Sequence, residues 1–461
     1  MDHLYSLAKG FESREDLKRA SYFYSICTKL NPGHINAYIN LSNISKSLAK
    51  IHIALRYAEM AIVMDPSESR AWTNKAIALN ELGPDESALA ATERAIISNQ
   101  NLPEAHGTKG VILAALGRLA PAMNAYDEAI RLRANYTDVK WNRAMLHLLS
   151  GNYLDGWRDF EYRFSTKHQR HALRGPAFDF NQSPSDLIGR KILVYPEQGL
   201  GDILQFCRYV PLLIEMSVNV VLEVGPELLV LAQTLHPKLQ VIQNNPVLSV
   251  SYDVSIPIMS LPLLFRTTVS SIPNNVPYLF SNKQTREAWK IRLASLKRPK
   301  IGLVWAGGFR ANQPELWTVN ERRNIRLELL KELGSVDADF VSLQKGAYGT
   351  DQLGALKASD WDGPKIFDFT PDLHSFADTA GLIDNLDLII SVDTSTAHLA
   401  GAMGKEIWIL NRFDTCWRWF TERKDSPWYP SAHLYRQGPE REWQPVINDV
   451  VRDLKLRFGK A

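Results

Sequence analysis

Small and apolar residues in the first third of the chain follow two periods, one helical and one much longer. Apolar positions recur every three to four residues, which predicts helices. Alanines recur at a step of 34 in a first series of Ala20, Ala54, Ala88 and Ala122, which Gly156 continues. A second series contains Ala61, Ala95 and Ala129, and Cys27 precedes it in register. A fixed step of this length predicts stacked helical hairpins rather than a plain helical bundle.

These residues resemble the tetratricopeptide repeat, which folds as two antiparallel helices in 34 residues. Tyr38 and Trp72 match its aromatic position early in the first helix, and Pro32 and Pro66 match its proline after the second. The family places small residues where the paired helices cross, and the alanine series supplies them. The resemblance implies four repeats, a fifth degenerate repeat over about 137–165, and a concave groove that binds extended protein segments.

Beyond residue 188 the pattern changes to short apolar runs, partly β-branched, that alternate with helical stretches. Predicted strands occupy 191–195, 218–224 and 239–242, and then 299–305, 340–344, 366–369, 386–390 and 406–410. Such alternation predicts parallel, doubly wound sheets, so the predicted fold class is α plus α/β. We assign an α-solenoid to 1–165, a linker to 166–187, and two Rossmann-like halves to 188–295 and 296–461.

The composition is that of an ordinary soluble protein and limits the classes of partner that we expect. Of the 461 residues, 45% are hydrophobic and 22% are charged, and the net charge of +3 gives no case for a nucleic-acid partner. Three isolated cysteines form neither a zinc motif nor a disulfide framework. We find no signal-peptide pattern and no apolar stretch of roughly 18 residues, and we expect a cytoplasmic protein without a transmembrane segment.

A polar turn that follows a predicted strand is the first candidate for chemistry. Asp393, Thr394, Ser395, Thr396 and His398 lie directly before and inside a predicted small-residue helix. Free backbone N–H groups and the positive end of a helix dipole coincide at such a point, which suits a phosphate. In an open α/β sheet this point also lies at the carboxyl end of a strand, where ligands bind. His398 has an ordinary alternative role as a capping or core histidine.

A second polar turn follows the first predicted strand of the α/β region and contains Gln198, Gly199, Gly201 and Asp202. Its two glycines lack the third glycine of a dinucleotide fingerprint, so the turn alone is weak evidence for a nucleotide. Asp202 opens a predicted helix at the carboxyl edge of the sheet. The helix dipole alone also favours an acid there, so a structural and a chemical role both stay open.

Further polar residues follow other predicted strands at the same edge. They are Gly307, Gln344 and Lys345, with Arg323 nearby in the chain. Arg323 is predicted to begin a helix. The helix dipole disfavours a cation at that end, so we expect that the guanidinium is there to bind a ligand. Singly, Arg323 could form a surface salt bridge and Lys345 could be a solvated loop charge. Their joint arrival at one sheet edge favours a binding site.

Several stretches together resemble one family. They are EQGLGDILQFCRYVPLL, SLQKG, DTAGLIDNLDLIISVDTSTAHLAGAMGKEIWIL, WRWF and SPWYP. They resemble the bacterial tetratricopeptide-repeat glycosyltransferases, whose catalytic half is similar to the heptosyltransferases of glycosyltransferase family 9 and more distantly to protein O-GlcNAc transferase. The resemblance implies a GT-B fold. Its C-terminal half would hold the nucleotide-sugar, and its N-terminal half, with the 198–201 loop, would meet the acceptor.

The same resemblance implies roles for individual residues. Asp202 matches an acid that looks like the general base, which removes the proton of the acceptor hydroxyl. The turn from 393 to 398 matches the donor-binding turn, although Ser395 stands where heptosyltransferases carry glycine. Arg323 matches a diphosphate partner, and Arg418 is a further candidate near the cleft. No pair of acids ends a strand, so neither a metal nor a cofactor beyond the sugar donor is called for.

The predicted function is therefore transfer of a sugar from a nucleotide-sugar to a hydroxyl acceptor. The expected acceptor is a protein such as flagellin, held by the repeats. One alternative is a transferase for a lipid-linked or capsular glycan, and the lack of an evident membrane-facing helix counts against it. Another is a non-catalytic repeat scaffold that binds proteins, against which the two intact turns argue.

Overall fold

The computed structural model describes residues 2–83, 85–166, 173–245, 250–308, 317–357 and 361–459. The chain forms two compact units. The first consists mainly of Met1–Leu146, and the second contains His147–Phe164 and the α/β region that follows.

The first unit is a succession of paired helices. They are α1 (Asp2–Glu12), α2 (Leu17–Leu30), α3 (Ile35–Ser47), α4 (Ile51–Met64), α5 (Ser69–Leu82), α6 (Glu86–Ser98), α7 (Pro103–Ala115), α8 (Leu119–Leu132) and α9 (Thr137–Leu149). The predicted helical-repeat solenoid is confirmed. Helix α10 (Tyr153–Phe160), which the sequence assigns to the fifth repeat, lies in the second unit.

Small residues let the paired helices of the solenoid approach closely. The two alanine series are almost wholly buried, as Ala54, Ala88 and Ala122 illustrate. Gly110 in α7 goes further, because a Cβ atom placed there would lie 2.5 Å from the ring of Tyr126 in α8. The 34-residue period is therefore a packing period, since it returns a small side chain to each helix crossing.

The α/β region begins with a small parallel sheet. Its elements are β1 (Lys191–Tyr195), α11 (Leu200–Phe206), α12 (Val210–Glu215), β2 (Asn219–Val224), α13 (Leu229–Ala232), β3 (Gln240–Gln243), β4 (Val254–Pro257), α14 (Leu261–Leu264) and α15 (Lys283–Arg292). The strand order is β3-β2-β1-β4, and every described pair is parallel. Strand β4 was not predicted, because four residues that end in proline give too short a pattern.

A larger parallel sheet follows. Its elements are β5 (Lys300–Val304), α16 (Trp317–Arg323), β6 (Asp339–Ser342), α17 (Ala347–Lys357), β7 (Ile366–Asp368), α18 (Phe376–Asp384), β8 (Leu388–Val392), α19 (Ser395–Ala402), β9 (Ile407–Asn411), β10 (Ala432–Arg436) and α20 (Gln444–Phe458). The order is β10-β9-β8-β5-β6-β7. The predicted parallel α/β region is confirmed, although the sequence analysis did not predict strand β10 or helices α16, α17 and α20 among these elements.

Strand β8 lies in the middle of this larger sheet and is buried along its whole length. Its Ser391 pairs with Val304 of β5 on one side and with Ile409 of β9 on the other. Because all three strands are parallel, the loops that follow them leave the sheet at the same edge. Among the described helices, none has the length and apolar character needed to cross a membrane.

Helix α10 packs into the second unit through aromatic and charged side chains. Trp157 Nε1 donates to the carbonyl of Thr267 at 3.1 Å. Just after α10, the guanidinium of Arg163 is buried against Glu197, with Nε 2.6 Å from Oε2. Burial raises the pKa of the Glu197 carboxyl, against the opposing charge of Arg163. The residues that follow the solenoid thus supply part of the α/β region's own core.

Candidate functional site

The turn between β8 and α19 leaves the first backbone N–H groups of the helix without a side-chain cap. Thr394 is extended and precedes the helix, but its hydroxyl bonds the Ser391 hydroxyl at 3.0 Å instead. The hydroxyl of Ser395, the first helical residue, has no hydrogen-bond partner among the described residues. Thr396 follows and is buried. This helix start can therefore offer backbone donors and a serine hydroxyl to an anion.

Helix α11 lies directly against this turn. A Cβ atom placed on Gly201 would lie 2.8 Å from Cδ2 of His398 and 3.6 Å from the Cα of Ser395. Only a glycine at this position lets α11 and α19 approach so closely. The two polar turns that the sequence singles out are therefore neighbours in space, although about 190 residues separate them. Gln198, which precedes Gly199 and Gly201 in the turn before α11, is exposed.

Asp202 has both carboxylate oxygens engaged. Oδ2 accepts a hydrogen bond from the backbone N–H of Gly199 at 2.8 Å, which caps α11. Oδ1 accepts a charge-assisted bond from Nη2 of Arg418, and most of both side chains is buried. Both roles that the sequence left open are thus compatible with this position. The acid caps its helix and also binds a cation that follows the larger sheet's strand β9 in the chain.

Arg418 lies in a short 3₁₀ segment, Trp417–Trp419, and is held on three sides. Besides Asp202, its Nε donates to Oε1 of Gln205 and its Nη1 lies 3.2 Å from Sγ of Cys416. Burial lowers the pKa of the guanidinium, but nearby negative charge, that of Asp202 foremost, more than offsets this and leaves the pKa raised. Arg418 is therefore a fixed cation at the contact between α11 and the larger sheet's loops.

Gln205 is a residue of this site that the sequence interpretation missed. It is fully buried and lies three residues after Asp202, on the same face of α11. That spacing was the available signal, because a polar side chain on a buried helix face needs a polar partner.

His398 is a buried neutral brace. Its Nδ1 lies 2.8 Å from the hydroxyl of Tyr429, its Nε2 lies 3.7 Å from Oδ1 of Asp393, and its ring stacks on Trp419. Burial lowers the pKa of the imidazole to about 3, although Asp393 acts in the opposite direction. An N–H on Nε2 suits the carboxylate of Asp393, so the Tyr429 hydroxyl donates to Nδ1. The geometry thus favours the core role that was one alternative for this histidine.

Arg323 requires a correction. The prediction that it begins a helix is wrong, because it is the last residue of α16 (Trp317–Arg323). A cation at a helix C-terminus is favoured by the dipole, so the dipole argument for a ligand fails. The guanidinium instead donates to the carbonyl of Asp393 at 2.9 Å. Gly307 gives it space, since a Cβ atom there would collide with the guanidinium of Arg323.

Gln344 and Lys345 are at the predicted edge, where their side chains hold backbone groups. The Gln344 amide accepts from the N–H groups of Trp305 and Ala306 and donates to two carbonyls. The ammonium of Lys345 donates to the carbonyls of Thr370 and Leu373, at 3.0 and 2.9 Å. A direct part for either in ligand binding stays a prediction. Within the described residues, no group of three or more His, Cys, Asp or Glu side chains could hold a metal ion.

Comparison with known proteins gives a limited likeness. No family model matches the chain. It is 27% identical over 356 residues to protein FlbA of Caulobacter vibrioides, across 69% of this chain and 55% of that protein. The chain therefore spans about half the length of the curated relative that it matches.

Solved structures resemble about a third of the chain. A thermophilic TPR protein of Thermus thermophilus has 17% identity and a TM-score of 0.34, covering 37% of this chain and 92% of that one. MamA has 17% identity and a TM-score of 0.29, covering 34% and 91%.

Proposed function

We propose that this chain is a GT-B glycosyltransferase that moves a sugar from a nucleotide-sugar to a hydroxyl group of a protein. The observation that carries the proposal is the contact of α11 with α19, made through Gly201 and His398. It joins a helix start suited to a phosphate with the carboxylate of Asp202. An anion site and a base at one point are what transfer from a sugar diphosphate requires.

The proposed step moves one proton and exchanges one bond. Asp202 takes the proton of the acceptor hydroxyl, and the acceptor oxygen bonds to the anomeric carbon of the donor. The bond from that carbon to the phosphate oxygen breaks, and the nucleoside diphosphate leaves with its electron pair. Backbone N–H groups at the start of α19, the Ser395 hydroxyl and the Arg418 guanidinium stabilise the departing charge.

The remaining predicted residues support the donor turn in this scheme. Arg323 holds the Asp393 carbonyl, and His398 faces the Asp393 carboxylate, so the turn is fixed from two sides. Gln344 fixes the loop that follows β5. With its backbone immobilised, the turn offers donors that need no rearrangement when charge develops on the phosphate.

We place the acceptor protein in the groove of the repeats, with flagellin as the first protein to test, and the reaction in the cytoplasm. Repeat solenoids of this kind present concave surfaces to extended segments. One observation favours a second candidate, a protein-binding scaffold without catalysis. The carboxylate that would act as base is already paired with Arg418.

The test offers UDP-, GDP- and CMP-linked sugars together with flagellin, and follows nucleotide release and the intact mass of flagellin. Asp202→Asn should lower turnover by about 100-fold or more, in the range of general-base catalysis. The matched control is Asp449→Asn, which changes an exposed acid on α20 and should leave turnover unaltered. Unchanged turnover in Asp202→Asn would refute the base assignment. If no donor raises the melting temperature while flagellin still binds, the scaffold is the better description.

A further inference from the structure

Arg418 has three hydrogen-bonding partners of very different quality. Nη2 meets the carboxylate of Asp202, and Nε meets the amide oxygen of Gln205. Nη1 faces only the thiol sulfur of Cys416, at 3.2 Å. Sulfur is a weak acceptor, so one donor of a buried guanidinium is poorly satisfied. A phosphate oxygen would be a much better partner, because guanidinium and phosphate match in geometry and charge.

The surroundings of Arg418 hold a second unused donor. The amide of Gln205 is fully buried, its Oε1 is occupied by Arg418, and its Nε2 has no hydrogen-bond partner among the described residues. The negative charge of Asp393 in the donor turn also acts on Arg418. Arg418 thus contacts the proposed base and is within electrostatic range of the turn that would hold the diphosphate. Polar hydrogens beside it remain available to an anion.

We propose that Arg418 exchanges partners when the diphosphate of the donor binds. Its two Nη groups pass from Asp202 and Cys416 to phosphate oxygens, while Nε stays on Gln205 as a pivot. Oδ1 of Asp202 is then released to accept the acceptor's proton. This exchange rests on the proposed function, since it needs a diphosphate at the start of α19. It makes Gln205 a positioning residue and makes donor binding the event that exposes the base.

The exchange can be tested by measuring the affinity for inorganic pyrophosphate. This measurement requires neither a known donor sugar nor turnover. In the wild type, Arg418 must leave a carboxylate to reach pyrophosphate. Asp202→Asn removes that competition and should tighten pyrophosphate binding about tenfold, an ordinary coupling for charged neighbours. Arg418→Gln should weaken binding about tenfold or more, as expected for the loss of a charge-assisted pair. Calorimetry on the full chain at fixed ionic strength measures both.

The double variant separates exchange from simple charge repulsion. If Asp202 acts only by repelling the anion, Asp202→Asn tightens binding equally whether it is made in the wild type or in the Arg418→Gln variant, and the proposal is overturned. If Arg418 moves, the change in the Arg418→Gln background is less than about twofold, because the coupled partner is gone. Absence of pyrophosphate binding in both the wild type and Asp202→Asn also overturns it. Gln205→Leu should weaken pyrophosphate binding through loss of the pivot, whereas Gln205→Asn, which keeps a neutral amide oxygen as an acceptor, should weaken it less.

Circular dichroism on the same samples identifies any variant that fails to fold. If Arg418→Gln is one, Gln205→Leu decides, since repulsion by Asp202 alone predicts that this variant binds pyrophosphate as tightly as the wild type, and that result would overturn the proposal. The two proposals also fail differently. Sugar transfer without this coupling would refute only the exchange. The coupling without transfer from any donor would refute the transferase and leave the exchange in place.

Discussion

Replacing Gly201 with alanine tests the close approach of α11 to α19 on which the candidate site depends. The added Cβ would lie 2.8 Å from Cδ2 of His398, whereas ordinary van der Waals contact begins at 3.4 Å. The helices must therefore separate by at least about 0.6 Å, or the ring must turn. The ring cannot turn freely, because it is buried, stacked on Trp419 and bonded to Tyr429. Overpacking of this kind typically costs about 1–3 kcal/mol.

The separation also displaces Asp202, which is the next residue in the chain. A misplacement of about 1 Å can cost about 100-fold in rate, so a shift of about 0.6 Å should reduce the proposed sugar transfer roughly tenfold. Urea unfolding and amide hydrogen exchange in the α11 and α19 peptides report the structural part of the effect. We expect a lower unfolding midpoint and faster exchange in both helices.

The matched control is Gly354→Ala, in the exposed part of α17. A Cβ atom there has nothing within 4 Å, so the substitution should only gain helix propensity, about 0.5–1 kcal/mol. If Gly201→Ala unfolds at the wild-type urea concentration or above it, the close approach that we describe is wrong. The same holds if the α11 and α19 peptides keep their wild-type exchange rates.

Three further perturbations test other parts of the structure. Arg163→Met should lower the free energy of unfolding by about 3–5 kcal/mol, because it leaves the buried Glu197 without its cation. The double variant with Glu197→Leu should regain most of this stability, and thermal unfolding measures both effects. In the solenoid, Gly110→Ala should lower the melting temperature and Gly10→Ala should raise it, since only the former meets a neighbouring ring. The pKa of His398 is about 3 in the folded protein against an ordinary 6.5, so its contribution to stability is complete above pH 6.5 and declines as the pH falls. His398→Gln should flatten the dependence of the unfolding midpoint between about pH 7 and 5, and an unchanged slope would contradict the burial argument.

The fold could be predicted largely because its periods are strict. The 34-residue step fixes where small residues must lie, and Ala54 and Ala88 are buried where it requires them. Long apolar runs such as the one that forms β8 leave little choice but a buried strand. Strand β10 could not be read in this way, since His433 and Arg436 interrupt its pattern. Its place is decided by pairing with β9, which is a property of the assembled sheet.

The site was less predictable, because the sequence indicates which groups reach an edge and not what they do there. The helix dipole disfavours a cation at the start of a helix and favours one at its end. A boundary error of one turn therefore reversed the inference for Arg323. Gln205 carries no motif at all, and its role depends on Arg418, which lies about 200 residues later. Contacts of that separation are set by how the two sheets' loops meet.

The polar groups of the candidate site fall into two sets, those that bond to backbone groups and those that still have hydrogen-bonding capacity. The side chains that drew attention as ligand contacts mostly bond to backbone groups, as Gln344, Lys345 and Arg323 do. Among the described residues of the site, unused capacity remains on the N–H groups at the start of α19, the Ser395 hydroxyl, the Nε2 of Gln205 and the weakly satisfied Nη1 of Arg418. An anion bound here would therefore be held chiefly by backbone donors and, through the proposed exchange, by the guanidinium of Arg418. Such a site should recognise the phosphate portion of many donors, and selection of the sugar must then come from other residues.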